Sequence, residues 1–149
     1  MYMYKYMIDK LPDDMINLIH EFVDPETTWI QTKVKDLNVN DSGWIIANNA
    51  LHTRIKHKRS LLNIKRAMEE IPLLFIPAKT VTQSSYAMKH DVSDYRKLMK
   101  VPYDKYISNG EFICAMILLG FKFATPTCLN VHFKVKNIPK KRRKSINYI

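Results

Sequence analysis

The stretch Ser108-Asn109-Gly110-Glu111, followed by Phe112 to Leu119 and then Gly120, constrains the fold more than any other part of the chain. A Ser with a Glu three places on is a capping box. The hydroxyl accepts from the backbone N–H of the Glu, and the carboxylate reaches back to the N–H of the Ser. From Phe112 to Leu119 every side chain is apolar or a thiol, so the helix has no face to show to water. Gly120 is the residue expected just past its C-terminus. Such a helix belongs at the centre, with other elements layered around it.

Those other elements are expected to be mostly helical. Only 3 of 149 residues are glycine, and folds made of many tight hairpins need residues that accept positive φ at their turns. Leu11-Pro12-Asp13-Asp14 opens a first helix. Proline is tolerated in a first turn and acidic residues suit the positive end of the dipole. Its apolar stripe is Met15, Ile16, Ile19, Phe22 and Val23, and Asp24-Pro25 ends it. A short helix from Glu26 to Leu37 follows, and Asn38 to Gly43 reads as a loop. Trp44 to Glu70 reads as one long helix or two, stopped by Ile71-Pro72. Leu73-Leu74-Phe75-Ile76 is then a short buried strand. Ser84-Ser85 caps a helix running to about Lys100, with Tyr86, Met88, Val92, Tyr95 and Leu98/Met99 facing the core. Val131 to Lys136 alternates with period two, as a half-buried strand does. The expected class is therefore mainly α (α+β): a compact helical domain over residues 1–138 with a small C-terminal hairpin or strand pair. Residues 139–149 form a basic mobile tail, and 38–43 is the candidate seam.

Charge separates along the chain. Residues 1–41 hold four Lys against eight Asp/Glu, whereas residues 42–149 hold twenty Lys/Arg against six. No acidic residue falls between Ser42 and Met68 or after Glu111. The total of +10 points to a polyanionic partner, DNA or RNA. Arg54, Lys56, Lys58, Arg59, Lys65 and Arg66 are the candidate phosphate contacts in the central segment, although they do not fall on one clean helical face. Lys134 and Lys136 follow on the strand, and Lys140, Lys141, Arg142, Arg143 and Lys144 on the tail. The tail also has the composition of a nuclear localisation signal. In a winged-helix arrangement Lys134 and Lys136 would lie on the wing. The reading helix would then be Ser84 to Lys100, with Lys89, His90, Arg96 and Lys97.

Other classes find little support. The Phe112 to Leu119 run is far short of the roughly 20 residues of a membrane span. The apolar start at Met1 is cut off by Asp9 and Lys10, unlike a signal peptide. A reducing compartment is therefore expected, with Cys114 and Cys128 as free thiols. His90, Cys114, Cys128 and His132 lack the close pairing of zinc ligands. His90 and Asp94 share a helix face, but no nucleophile or oxyanion donor accompanies them. We expect a binding protein that is no enzyme, with neither metal nor cofactor.

Two stretches resemble known proteins. Ser84-Ser85-Tyr86-Ala87-Met88-Lys89-His90, with Tyr106 to Ala115, Leu119-Gly120-Phe121 and Asn130-Val131-His132-Phe133, is similar to small uncharacterised proteins of large DNA viruses and phages. These share Ser-Tyr-x-x-Lys-His and Asn-Gly-x-Phe-Ile-x-Ala stretches. The resemblance covers about residues 84–135 and implies a viral origin, without an activity to carry over. It places the protein inside the host cell, in the nucleus or a viral factory, or packaged in the virion. Leu11, Pro12, Met15, Ile16, Ile19 and Phe22 also resemble the opening of an F-box, a pattern the chain leaves after Trp29. A plain amphipathic helix accounts for the same residues. The alternative function is accordingly a protein-interaction module, either a minor virion component or a host adaptor working through those six residues.

Overall fold

The computed structural model describes residues 25–143. Four α-helices are α1 (Pro25–Val34), α2 (Lys58–Leu74), α3 (Ser85–Met99) and α4 (Asn109–Leu118). The strands are β1 (Val39–Asn40), β2 (Gly43–Trp44), β3 (Phe75–Ser84) and β4 (His132–Asn137). The expected α+β fold, helical with a small C-terminal strand pair, is the one found. Lys144, the end of the tail and the helix expected from Leu11 fall outside the described residues.

α4 is the centre. Phe112, Ile113, Cys114, Ala115 and Met116 are all fully buried, and α2, α3, β1 and β2 all touch the helix. Its capping box is formed in both directions: Ser108 Oγ accepts from Glu111 N (3.0 Å) and Glu111 Oε1 from Ser108 N (2.9 Å). Beyond its end Gly120 has φ +86°, the left-handed conformation that glycine adopts without strain.

The 38–43 stretch is a two-residue-stranded hairpin, Val39 opposite Trp44 and Asn40 opposite Gly43. It is docked on the start of α4. Gly110 N donates to Asp41 O and Asn109 Nδ2 to Ser42 O. Gly110 lies so close to the Asn40 carbonyl that a Cβ would overlap it. The stretch is therefore packed structure and not a linker.

Two expectations about α2 need correction. It starts at Lys58, not near Trp44, because residues 44–57 are held by buried amides. Asn49 Oδ1 accepts from Ile46 N (2.7 Å), and Asn49 Nδ2 donates to Trp44 O (3.1 Å) and Asn40 Oδ1 (3.3 Å). Asn40 Nδ2 in turn donates to Asn49 O (2.8 Å). Asn side chains compete in this way with helical backbone bonds. His57 then caps α2, its Nδ1 accepting from Arg59 N. At the other end Ile71-Pro72 does not stop the helix, which continues to Leu74. An interior proline costs roughly 3 kcal/mol, but Leu74 and Phe75 are both buried there, at about 2 kcal/mol each.

β3 and β4 pair antiparallel, in two registers. Phe75, Ile76 and Pro77 oppose Asn137, Lys136 and Val135, and Thr82, Gln83 and Ser84 oppose Lys134, Phe133 and His132. Residues 78–81 have no partner and form a wide bulge. On its other side β4 meets the 122–123 segment, through the Phe123–Phe133 bridge and Lys134 N to Lys122 O (3.0 Å). Phe133 and Val135 point into the core, where Phe133, Phe123 and Trp44 form a run of ring contacts at 5.6 and 6.1 Å.

Candidate nucleic-acid interface

Alternation along β4 decides which cations face outward. With Phe133 and Val135 buried, His132, Lys134 and Lys136 point to the opposite face. Across the ladder stand Ser84, Thr82 and Ile76, none of them buried. Phe123 turns its ring inward toward Phe133, so its neighbour Lys122 joins Lys134 on the outer side. Lys79 is exposed on the bulge. Among the described residues no carboxylate forms an ion pair with Lys79, Lys122, Lys134 or Lys136.

The start of the tail continues from this strand. Lys140–Arg142 form one 3-10 turn, and Arg143 donates from Nε to Ile138 O (2.9 Å). Lys140, Lys141 and Arg142 are exposed. Lys140 and Arg143 share a cleft of about 400 Å³ with Asp91, Asp94, Tyr95, Leu98 and Met99, so two carboxylates offset part of the charge at the tail root.

The central cations separate into two groups. Arg54, Lys56 and Lys58 line an open cleft of about 470 Å³ with Asp41, Thr53, Ile55, His57 and Ser60. Arg54 is turned toward Asn38 Oδ1 (3.4 Å) and the Lys35 carbonyl (3.5 Å). Arg59 is half-buried. The other two are largely withdrawn from solvent. Lys65 lies 3.7 Å from Glu26, its side chain only 13% exposed. Arg66 is 4% exposed and places its guanidinium 4.2 Å from the centre of the Tyr103 ring. For Arg66 the reason is spacing: Leu62, Arg66 and Glu70 stand four apart, on the face of α2 that packs inward.

The basic residues also fail to form one continuous face. Arg54 to Lys58 sit at the start of α2. The tail root is fixed at its end, where Ile138 N donates to Leu74 O (2.8 Å). A helix of 17 residues holds these groups about 25 Å apart.

Of the four α3 residues expected to read a groove in a winged-helix arrangement, His90 and Lys97 are exposed, whereas Lys89 and Arg96 are buried. Arg96 is fully buried and ion-paired with Glu70 at 2.8 Å, so the helix cannot read a groove with it. Arg96 Nη1 also donates to Asn63 Oδ1 (2.8 Å) and to the carbonyls of Asp104 and Tyr106 (3.2 Å each). Asn63 Nδ2 donates to Glu111 Oε1 (2.8 Å) and Tyr103 Oη to Glu70 Oε2 (3.0 Å). Burial pushes the Glu111 carboxyl above its ordinary value, against the hydrogen bonds from Ser108, Ser60 and Asn63.

Sequence reasoning missed one surface cluster. Tyr86 and Tyr106 are 53% and 58% exposed, and Lys89 Nζ lies 5.3 and 5.0 Å from their ring centres. The ammonium donates to Ile107 O (3.4 Å). Burial lowers the Lys89 pKa despite nearby Glu111, and burial raises that of Tyr106, with Glu111, Asp41 and Asp104 adding to the effect. The sequence pattern puts Tyr86 on the core side of α3. It is instead more than half exposed, about 120° round the helix from Val92.

Cys114 and Cys128 are free thiols, the first buried and the second exposed. Among the described residues no group of three or more His, Cys, Asp or Glu is placed to hold a metal ion. No helix among them is long and apolar enough to cross a membrane. The six F-box-like residues fall outside the described residues. No protein-family model, curated protein or solved structure matches the chain.

Proposed function

We propose that this protein binds nucleic acid through its phosphates, without reading sequence, on the outer face of the β3–β4 sheet and the basic segment that follows it. One observation carries the reading. Lys122, Lys134 and Lys136 project from one sheet face, on which Ile76, Thr82, His132 and Lys136 are exposed, with Lys79 on the adjacent bulge and Lys140 to Arg142 continuing the chain. Lys134 and Lys136 are two residues apart on an extended strand, about 7 Å, so both ammonium groups can be neutralised by one nucleic-acid backbone. Arg54, Lys56 and Lys58 form a second basic region that a longer strand would reach. The setting that fits is a viral accessory or virion-associated protein, on the strength of the sequence resemblance.

The test is binding of labelled DNA and RNA over a range of salt. Each phosphate contact on duplex DNA contributes about 0.9 to the slope of log affinity against log salt. Lys134→Glu with Lys136→Glu should weaken binding to every sequence alike and flatten that slope. An affinity indifferent to salt removes the phosphate reading and leaves the protein-interaction module in its place.

A further inference from the structure

The Ser-Tyr-x-x-Lys-His stretch is not used by a phosphate track on the sheet, yet two of its side chains help to build an exposed aromatic pair around a buried lysine. Tyr86 in the first turn of α3 and Tyr106 before α4 come from different elements and meet around the Lys89 ammonium. Both rings remain more than half exposed. We propose that Tyr86 and Tyr106, bridged by Lys89, are a stacking platform for unpaired bases, so that the partner is single-stranded nucleic acid.

This deepens the nucleic-acid reading and rests on it. The position of the platform is the first argument. Ser84 pairs with His132, and Ser85 is tied to Val131 through both its backbone N–H (2.8 Å) and its hydroxyl (3.0 Å). Tyr86 therefore begins where the outward row Lys136, Lys134, His132 ends. A strand whose phosphates follow that row reaches the start of α3, where Tyr86 stands.

Rigidity is the second argument, because a preordered ring loses little freedom on binding. Tyr86 N is held by Ser84 Oγ (3.3 Å), and its ring meets His90 edge-on at 4.8 Å. Tyr106 N donates to Asp104 Oδ1 (3.0 Å), while its carbonyl accepts from Arg96 and Asn63. The buried ion pair of Arg96 and Glu70 thus anchors the backbone of a surface ring.

Charge sets the polarity. Asp41, Asp104 and Glu111 lie near Tyr106 and repel a phosphate there. The bound strand presents bases to the tyrosines and its backbone to the lysines of the sheet. Base–aromatic stacking tolerates any sequence, because every base has a π face.

The experiment compares a labelled oligothymidine with a duplex of equal length, by fluorescence anisotropy, on the full chain. The native protein should prefer the oligothymidine. Tyr86→Ala and Tyr106→Ala should each weaken it about tenfold and leave duplex affinity unchanged, while Tyr86→Phe and Tyr106→Phe retain binding. Thermal melting of each variant separates lost stacking from lost folding. Alanine variants that melt normally and bind oligothymidine as well as the native protein overturn the platform, as does an equal loss for both ligands. If the duplex and the oligothymidine bind equally, and only the Lys134 and Lys136 changes matter, the platform falls and the phosphate reading stands. Failure to bind either removes both.

Discussion

Arg96 and Glu70 form an ion pair at 2.8 Å in which neither side chain is exposed to water. Arg96 Nε adds contacts to both carboxylate oxygens at 2.9 and 3.1 Å. The pair joins α2 to α3 beneath the Tyr103–Tyr106 segment. Removing one member leaves an uncompensated charge in the interior, which costs about 3–5 kcal/mol. Glu70→Ala and Arg96→Met should each lose stability of that order in urea denaturation. A loss below about 1 kcal/mol would show that water reaches the partner left behind.

The contact between Gly110 and Asn40 is equally unforgiving. A Cβ at position 110 would overlap the Asn40 carbonyl, which is backbone and cannot swing aside. Gly110→Ala should destabilise by about 3 kcal/mol or more, although alanine has the higher helix propensity. A variant with an unchanged urea midpoint would mean that the hairpin is not seated on α4.

Glu111 makes stability depend on pH. Its carboxyl is raised above the ordinary 4.5, so between that value and its folded value the native state holds a proton that the unfolded chain releases. Stability therefore falls as pH rises through that window. Glu111→Gln keeps an oxygen for Asn63 and for Ser108 N and carries no charge. It should exceed the native protein in stability at neutral pH, with the gap narrowing on acidification. A gap that stays constant with pH would rule this out.

The two basic regions should differ in binding. Deleting residues 139–149 should reduce both affinity and salt slope. Arg54→Ala with Lys56→Ala should lower the slope on a short oligonucleotide by less than one contact, about 0.9. The opposite ranking would move the interface to the start of α2.

The cysteines offer a simple check on packing. Cys128 is exposed, and Cys114 is buried in α4, where burial pushes its thiol well up. A disulfide reagent should label one thiol in the native protein and the second only on unfolding. Rapid labelling of both would contradict the buried α4.

The elements that could be read from the chain are those with local signals. Ser84 and Ser108 cap helices because a side-chain oxygen satisfies an N–H two or three residues on. β4 could be read because Phe133 and Val135 alternate with His132, Lys134 and Lys136 over a single strand. The start of α2 could not, because what holds 44–57 out of a helix is a buried amide pair, Asn40 with Asn49, nine residues apart.

The candidate site divides along the same line. The outward lysines of β4 follow from period two, so the sequence alone placed them together. Charge count by itself treated Arg66 and Arg96 like any other cation, whereas packing turned both inward onto Tyr103 and Arg96 onto Glu70 as well. The meeting of Tyr86 and Tyr106 over Lys89 is also purely tertiary, since nineteen residues of helix and loop intervene. Periodicity and capping act over one or two turns and so are written in the sequence. The partner of a buried charge and the neighbour of an exposed ring depend on how distant elements dock, which only the folded chain decides.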